Sequence, residues 1–304
     1  MRSLSLVAGM DRTFGTHTEL ACSVPLMPGR FKLCASRPPR DLLDIVSTFW
    51  ELQPKDQTRF LPTQMFPSLS GRIRFVIHDQ AAETLVYGPS SSSERKGLYF
   101  ADARSFGATL TPLGLSRLFG AHAPDLCSSR VKGSVMAARL FDDVEERVAV
   151  ATSFEERKAI LISFLRSVRQ SGSCGGLLDA AIAMLRVQDS ANAVDEVSSV
   201  LGVSRRTLHR HFLQHLGVRP KAAARILRIQ RSLKAVVGAA LPTASTHTFA
   251  DQSHFIREFK DMIGVTPGQF GLSLPDLADA DLPIWQGLNP STYDQGYPDF
   301  RLYR

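Results

Sequence analysis

The chain has 304 residues, 44% hydrophobic and 21% charged, with a net charge of +7 and a mean hydropathy of -0.05. That length supports a sizeable core and, at roughly 100–200 residues per domain, two domains. The balance excludes the disordered and fibrous classes, and no stretch approaches the ~18 apolar residues of a membrane span.

The opening stretch, Met1 to Gly29, lacks the basic-then-apolar order and small-residue cleavage site of a secretion signal, so a cytoplasmic protein is expected. Cys22, Cys34, Cys127 and Cys174 lie far apart with no CxxC pair, which argues against a zinc ribbon or a disulfide scaffold and for reduced thiols. No metal and no cofactor are expected.

From about Thr48 to Leu110, short β-favouring runs alternate with turn residues. Arg74–His78, Thr84–Tyr87 and Leu98–Phe100 predict strands of one antiparallel sheet. The run Gly88-Pro89-Ser90-Ser91-Ser92-Ser93 reads as a hairpin loop or flexible connection. From Ser153 the period changes to helical: Phe154, Ile160, Leu161, Phe164, Leu165 and Val168 trace one stripe, with Glu155, Glu156, Arg157 and Lys158 mostly off it. That helix closes a first domain, 1–170, and the small-residue run at 171–176 reads as a linker.

Residues 177–272 then read as helical almost throughout. Leu177, Leu178, Ala181, Ile182 and Leu185 stripe a first helix. Val194, Val197, Val200 and Leu201 stripe a second, which Gly202 stops. Ser204 can N-cap a third, in which Leu208, Phe212 and Leu216 recur every four residues. Pro220 opens a helix to about Val237, ~27 Å long at 1.5 Å per residue, whose Arg225, Arg228, Arg231 and Lys234 are expected on its wet side.

The most informative feature is an internal repeat. SRRTLHRHFLQHLGVRP at 204–220 and DQSHFIREFKDMIGVTP at 251–267 share Arg210/Arg257, Phe212/Phe259, Gly217/Gly264, Val218/Val265 and Pro220/Pro267. In each copy an N-cap candidate, Ser204 or Asp251, opens a helix whose apolar stripe packs inward and whose outer face is polar and cationic. A short supporting helix, a turn with Gly and such a helix are what helix-turn-helix recognition needs: the second helix puts its N-terminal residues into the major groove. The outward set is Arg205, Arg206, His209 and Arg210 in the first copy, and Gln252, Ser253, His254 and Arg257 in the second. Arg suits guanine edges or phosphate, and Gln suits adenine. Either helix alone would read as the solvated face of a core-packed helix; the repetition argues against that.

These residues resemble the AraC/XylS family of transcription regulators. The resemblance rests on Ser204-x-x-x-Leu208-x-Arg210-x-Phe212 with Gly217-Val218-x-Pro220, and on Phe249-x-Asp251-Gln252-Ser253-His254-Phe255-x-Arg257-x-Phe259-Lys260 with Gly264-Val265-Thr266-Pro267. It implies a seven-helix domain in which a long helix joins two helix-turn-helix units. By matching positions, Arg206, His209, Arg210, Ser253, His254 and Arg257 would face the groove. The chain departs from the family before Phe249, where Thr243–Thr248 replaces an apolar pair and a Gly, so the first unit is expected to be the stronger reader. The stretches at Phe49-Trp50-Glu51 and Leu98-Tyr99-Phe100 resemble the β-rich sensor region of some members, which implies ligand binding or dimerisation.

The expected fold class is therefore α+β: a β-rich mixed N-terminal domain followed by an all-α double helix-turn-helix domain. Double-stranded DNA is the expected partner; RNA polymerase, a small-molecule effector and a second copy of the chain stay open. No catalytic residue is assigned. His78-Asp79 stands without a Gly-x-Ser-x-Gly elbow, a P-loop or His-Glu-x-x-His. A DNA-repair enzyme or adaptor using the same DNA-binding domain is the alternative, and a repair enzyme would need clustered thiols. The last segment, 273–304, holds 2 basic and 5 acidic residues, four prolines and five aromatics, and reads as an acidic aromatic tail.

Overall fold

The computed structural model describes residues 31–54, 60–64, 66–91, 96–100, 103–120, 124–136, 139–170, 176–188, 190, 192–238 and 252–272. The strands are β1 (Phe31–Ser36), β2 (Val46–Pro54), β3 (Phe60–Gln64), β4 (Arg72–His78), β5 (Ala81–Tyr87), β6 (Lys96–Phe100), β7 (Arg104–Leu110) and β8 (Arg130–Lys132). Six form an antiparallel sheet in the order β1-β2-β7-β4-β5-β8, and β3 pairs with β6 in a separate two-stranded sheet. The runs at 74–78 and 84–87 pair as expected, around a turn at Asp79 with φ +49°. The run at 98–100 does not join them. A β-favouring run specifies that a strand forms and leaves open which strand it pairs with, because pairing is decided by distant chain.

The glycine-serine run also begins more firmly than a flexible connection would. Gly88 N–H donates to Ser129 O at 3.1 Å, and Ser68 and Ser90 exchange backbone bonds of 2.8 Å. A Cβ at Gly88 would lie 1.9 Å from Leu126 O, so the chain passes where only a hydrogen fits. The part at 92–95 lies outside the described residues.

Helices α1 (Gly114–Phe119), α2 (Gly133–Met136), α3 (Asp142–Val150) and α4 (Phe154–Val168) complete the N-terminal region. Ser153 caps α4 in a capping box with Glu156. Phe49, Ile73, Phe75, Val86 and Phe106 share one buried cluster with Val144, Val148, Phe154, Leu161 and Leu165 of α3 and α4. Arg157, expected off the helix stripe, is instead 2% exposed and donates from Nη1 to Glu51 Oε2 at 2.9 Å. It stands three residues after Phe154 and four before Leu161, on the stripe itself.

The C-terminal region consists of α5 (Gly176–Val187), α6 (Ala193–Val200), α7 (Arg205–Leu216), α8 (Pro220–Gly238), α9 (Gln252–Ile263) and α10 (Pro267–Leu272). Gly176 opens α5, while 171–175 and the tail from 273 lie outside the described residues. The two regions share hydrophobic contact: Trp50, Leu52, Leu69 and Leu113 belong to the same buried cluster as Leu178, Ile182, Leu208, Phe212 and Ile226. The fold class is α+β, strands first and helices after. Among the described residues no helix is long and apolar enough to cross a membrane.

Candidate nucleic-acid interface

The first unit is assembled by local chemistry. After α6 the chain turns at Gly202, φ +64°, a left-handed conformation that costs glycine little. Ser204 then takes extended angles, and its hydroxyl accepts the Thr207 N–H at 3.0 Å, capping α7. Leu208, Phe212 and Leu216 are buried, which turns the other face outward: Arg205, Arg206, His209 and Arg210 are all exposed. Arg205 also pairs with Asp195 of α6. Arg206, His209 and Arg210 line an open groove of about 820 Å³ with Leu213 and Gln214, and Pro124 forms its other wall.

The second copy repeats this layout in α9. Phe255, Phe259, Met262 and Ile263 are buried, with the two phenyl rings edge-to-face at 5.6 Å. Ser253, His254 and Arg257 are exposed, and Arg257 Nε donates to Ser253 O at 3.3 Å. Gln252 opens the helix, but its side chain and the N-cap candidate Asp251 lie outside the described residues, as does the polar stretch at 243–248. Gly264, φ +92°, ends α9. Thr266 and Gln269 then exchange hydrogen bonds across the first turn of α10, Thr266 N–H to Gln269 Oε1 at 3.0 Å and Gln269 N–H to Thr266 Oγ1 at 3.3 Å. The structure thus places seven of the eight expected DNA-facing residues on the outer faces of two repeat-related helices.

Sequence reasoning did not find how closely the N-terminal region approaches the first unit. Ser116 Oγ lies 2.9 Å from His215 Nδ1, and Gln230 Nε2 donates to Pro67 O at 3.0 Å. A short 3-10 turn, Pro124–Leu126, meets the end of α7. Gly217, φ +65°, sits so close that a Cβ would come within 2.7 Å of Cys127 Cβ and Pro124 O. Such contacts join segments roughly 90 to 160 residues apart and leave no periodicity to read.

Burial, and then the cationic form of the stacked His211 imidazole 6.1 Å away, hold the His215 pKa below the ordinary imidazole value. The folded protein therefore prefers neutral His215. Its contribution is complete above about pH 6.5 and is lost as pH falls through the lowered folded value. Hydrogen exchange in 114–119 and 205–216, corrected for intrinsic rate, is expected to quicken below about pH 6.5. His215→Phe should flatten that dependence; a wild-type profile already flat would show that the contact does not titrate.

Cys34 and Cys127 are half-buried, and no group of three or more His, Cys, Asp or Glu among the described residues is placed to hold a metal. His78 and Asp79 close the β4–β5 hairpin.

A family model described as a helix-turn-helix domain matches residues 197–272. No curated protein is similar enough in sequence to count as a relative. Among solved structures, ToxT from Vibrio cholerae O395 is similar at 14% identity and a TM-score of 0.39, covering 81% of this chain and 98% of that one. The same protein bound to (E)-4-(8-methylnaphthalen-1-yl)but-3-enoic acid is similar at 15% identity and 0.39, covering 81% and 99%. An apo form from Vibrio cholerae strain SCE256 is similar at 10% identity and 0.39, covering 80% and 97%. The family match spans both copies of the repeat, with their outward-facing helices, so residues 197–272 are similar to a helix-turn-helix domain.

Proposed function

We propose that the protein is a transcription regulator that reads adjacent major-groove segments of double-stranded DNA with α7 and α9. Arg206, His209, Arg210, Gln252, Ser253, His254 and Arg257 make the contacts, with Arg205 shared between DNA and Asp195. The observation that carries this reading is the duplicated display: two helices of related sequence, each anchored by a buried apolar stripe, each with an exposed arginine at the same repeat position, Arg210 and Arg257. Exposed arginine on a helix edge can bond guanine bidentately or neutralise phosphate.

In this reading residues 1–170 form a sensing or dimerising domain, 171–176 a linker, 177–272 the DNA reader and 273–304 a separate acidic tail. The shared cluster around Trp50, Leu52 and Phe212 and the Ser116–His215 contact support modulation through the N-terminal region, by a small-molecule effector, a second copy of the chain, or both. RNA polymerase is the further partner that regulation requires, and the cytoplasm is the compartment that offers DNA and polymerase together.

The test is binding of the full chain to duplexes it enriches from a random pool. Arg210→Ala and Arg257→Ala are each expected to weaken specific binding by about 1–3 kcal/mol, about five- to 150-fold. Affinity should also fall steeply with salt as phosphate counterions are released. Binding curves unchanged in both variants would overturn the assignment.

A further inference from the structure

The sequence puts Arg225 and Arg228 on the wet side of the helix that joins the two units. In the structure both reach α9 instead. Glu258, between the exposed Arg257 and the core residue Phe259, is 6% exposed. Its Oε1 accepts from Arg225 Nε at 2.7 Å and from Arg228 Nη2 at 3.2 Å. Arg225 Nη2 also donates to Asp261 Oδ2 at 3.3 Å. One guanidinium thus spans two carboxylates three residues apart on α9.

Stability alone is a poor reason for this arrangement. A buried carboxylate is costly to desolvate, and an apolar residue in its place often serves stability as well or better. Here the cost is not fully recovered, because Glu258 Oε2 is buried with no hydrogen-bond partner. What charge-assisted bonds add is direction. The apolar seam of Phe255, Phe259 and Ile263 holds α9 against the domain but tolerates small slides and rotations, whereas a planar guanidinium bonds a carboxylate from few positions.

Arg257 lies next to Glu258 and therefore ~100° around the same helix, so the azimuth of Glu258 sets where Arg257 points. At the other end of the connection, α8 begins at Pro220, directly after the Gly217 turn that closes α7. Arg225 and Arg228 sit in the first half of α8, on the side of the first unit.

Resting on the two-helix reading above, we propose that the Arg225–Glu258–Arg228 cluster is a register clamp that fixes the separation and rotation of the two reading helices. Glu258, Arg225 and Arg228 are thus positioning residues for recognition of two DNA segments at one set spacing. They act through the helices and need not touch DNA themselves.

The experiment takes the full chain and its Glu258→Gln, Glu258→Asp and Arg225→Gln variants through selection from random-sequence duplexes. Arg225 is 40% exposed on its side chain, so Arg225→Gln tests the clamp without stranding a wholly buried group on its own side. The wild type is expected to enrich a two-part motif at one spacing. Glu258→Gln and Arg225→Gln should enrich the first part with the second scattered in spacing. They should bind the two-part duplex about tenfold more weakly while binding a duplex with the first part alone within about twofold of wild type. Glu258→Asp, which keeps the charge, should keep the single spacing at reduced affinity. The clamp is overturned if both Gln variants enrich the wild-type spacing with unchanged affinity, or if they weaken both duplexes equally. A wild type that enriches only a one-part motif would instead overturn the two-helix reading, and the clamp with it.

Discussion

Arg157→Ala is expected to lower the unfolding free energy by about 3–5 kcal/mol, the range found when one partner of a buried ion pair is removed. The Arg157 and Glu51 side chains are 3% and 8% exposed and meet at 2.9 Å. Arg157 Nε donates to Val148 O at 3.3 Å and Nη2 donates to Ala151 O, so one guanidinium ties the end of α3, the start of α4 and strand β2. Removing it strands a carboxylate whose other cation among the described residues is Arg104, 3.6 Å away, and leaves two carbonyls without that donor. Burial pulls the Arg157 pKa down against the pull of Glu51, a sign of how much solvation the group has given up. A double replacement, Arg157→Met with Glu51→Leu, should recover much of the loss, because no charge then remains unpaired. Urea midpoints for the wild type, Arg157→Ala and the double variant decide the matter: a midpoint for Arg157→Ala close to wild type would show that the pair is not closed to water.

Phe212→Ala carries the second large effect, about 3–5 kcal/mol for deleting a fully buried aromatic ring. Phe212 is 0% exposed and belongs to the cluster that also holds Trp50, Leu52 and Leu69 of the N-terminal region. The cavity would therefore open beneath the first reading helix, in a cluster that both regions share. Phe259→Ala, at the matching position of the second copy and also 0% exposed, should cost about as much, with its loss concentrated on the α9 side. Thermal unfolding followed by circular dichroism checks both: each variant should melt well below the wild type. A Phe212→Ala protein as stable as the wild type would mean that the repeat position is not a core position.

What was legible in the sequence was local. Ser153 and Ser204 announce helix starts because a hydroxyl can take an orphan N–H within three residues. Gly217 announces a stop because only a left-handed residue turns the chain there, and Leu208, Phe212 and Leu216 give the inward face by spacing alone. The outward residues Arg206, His209, Arg210, Ser253, His254 and Arg257 followed from those faces and are exposed. Pairing was not legible: Leu98–Phe100 went to β3, and the order β1-β2-β7-β4-β5-β8 is set by contacts between distant segments. Two polar departures did leave a trace. Arg157 falls on the Phe154–Leu161 stripe, and Arg225 and Arg228 are spaced to share one side of α8, where a composition-led reading assigns any arginine to solvent.

The tight approach at Gly217 has a mechanical meaning. With Pro124, Cys127 and Ser116 bearing on the C-terminal end of α7, that end is a fulcrum, and Arg206 rides near the far tip about 15 Å away along the helix axis. A tilt of roughly 10° at the fulcrum sweeps the tip through roughly 2–3 Å, enough to carry a guanidinium out of bonding range of a base edge.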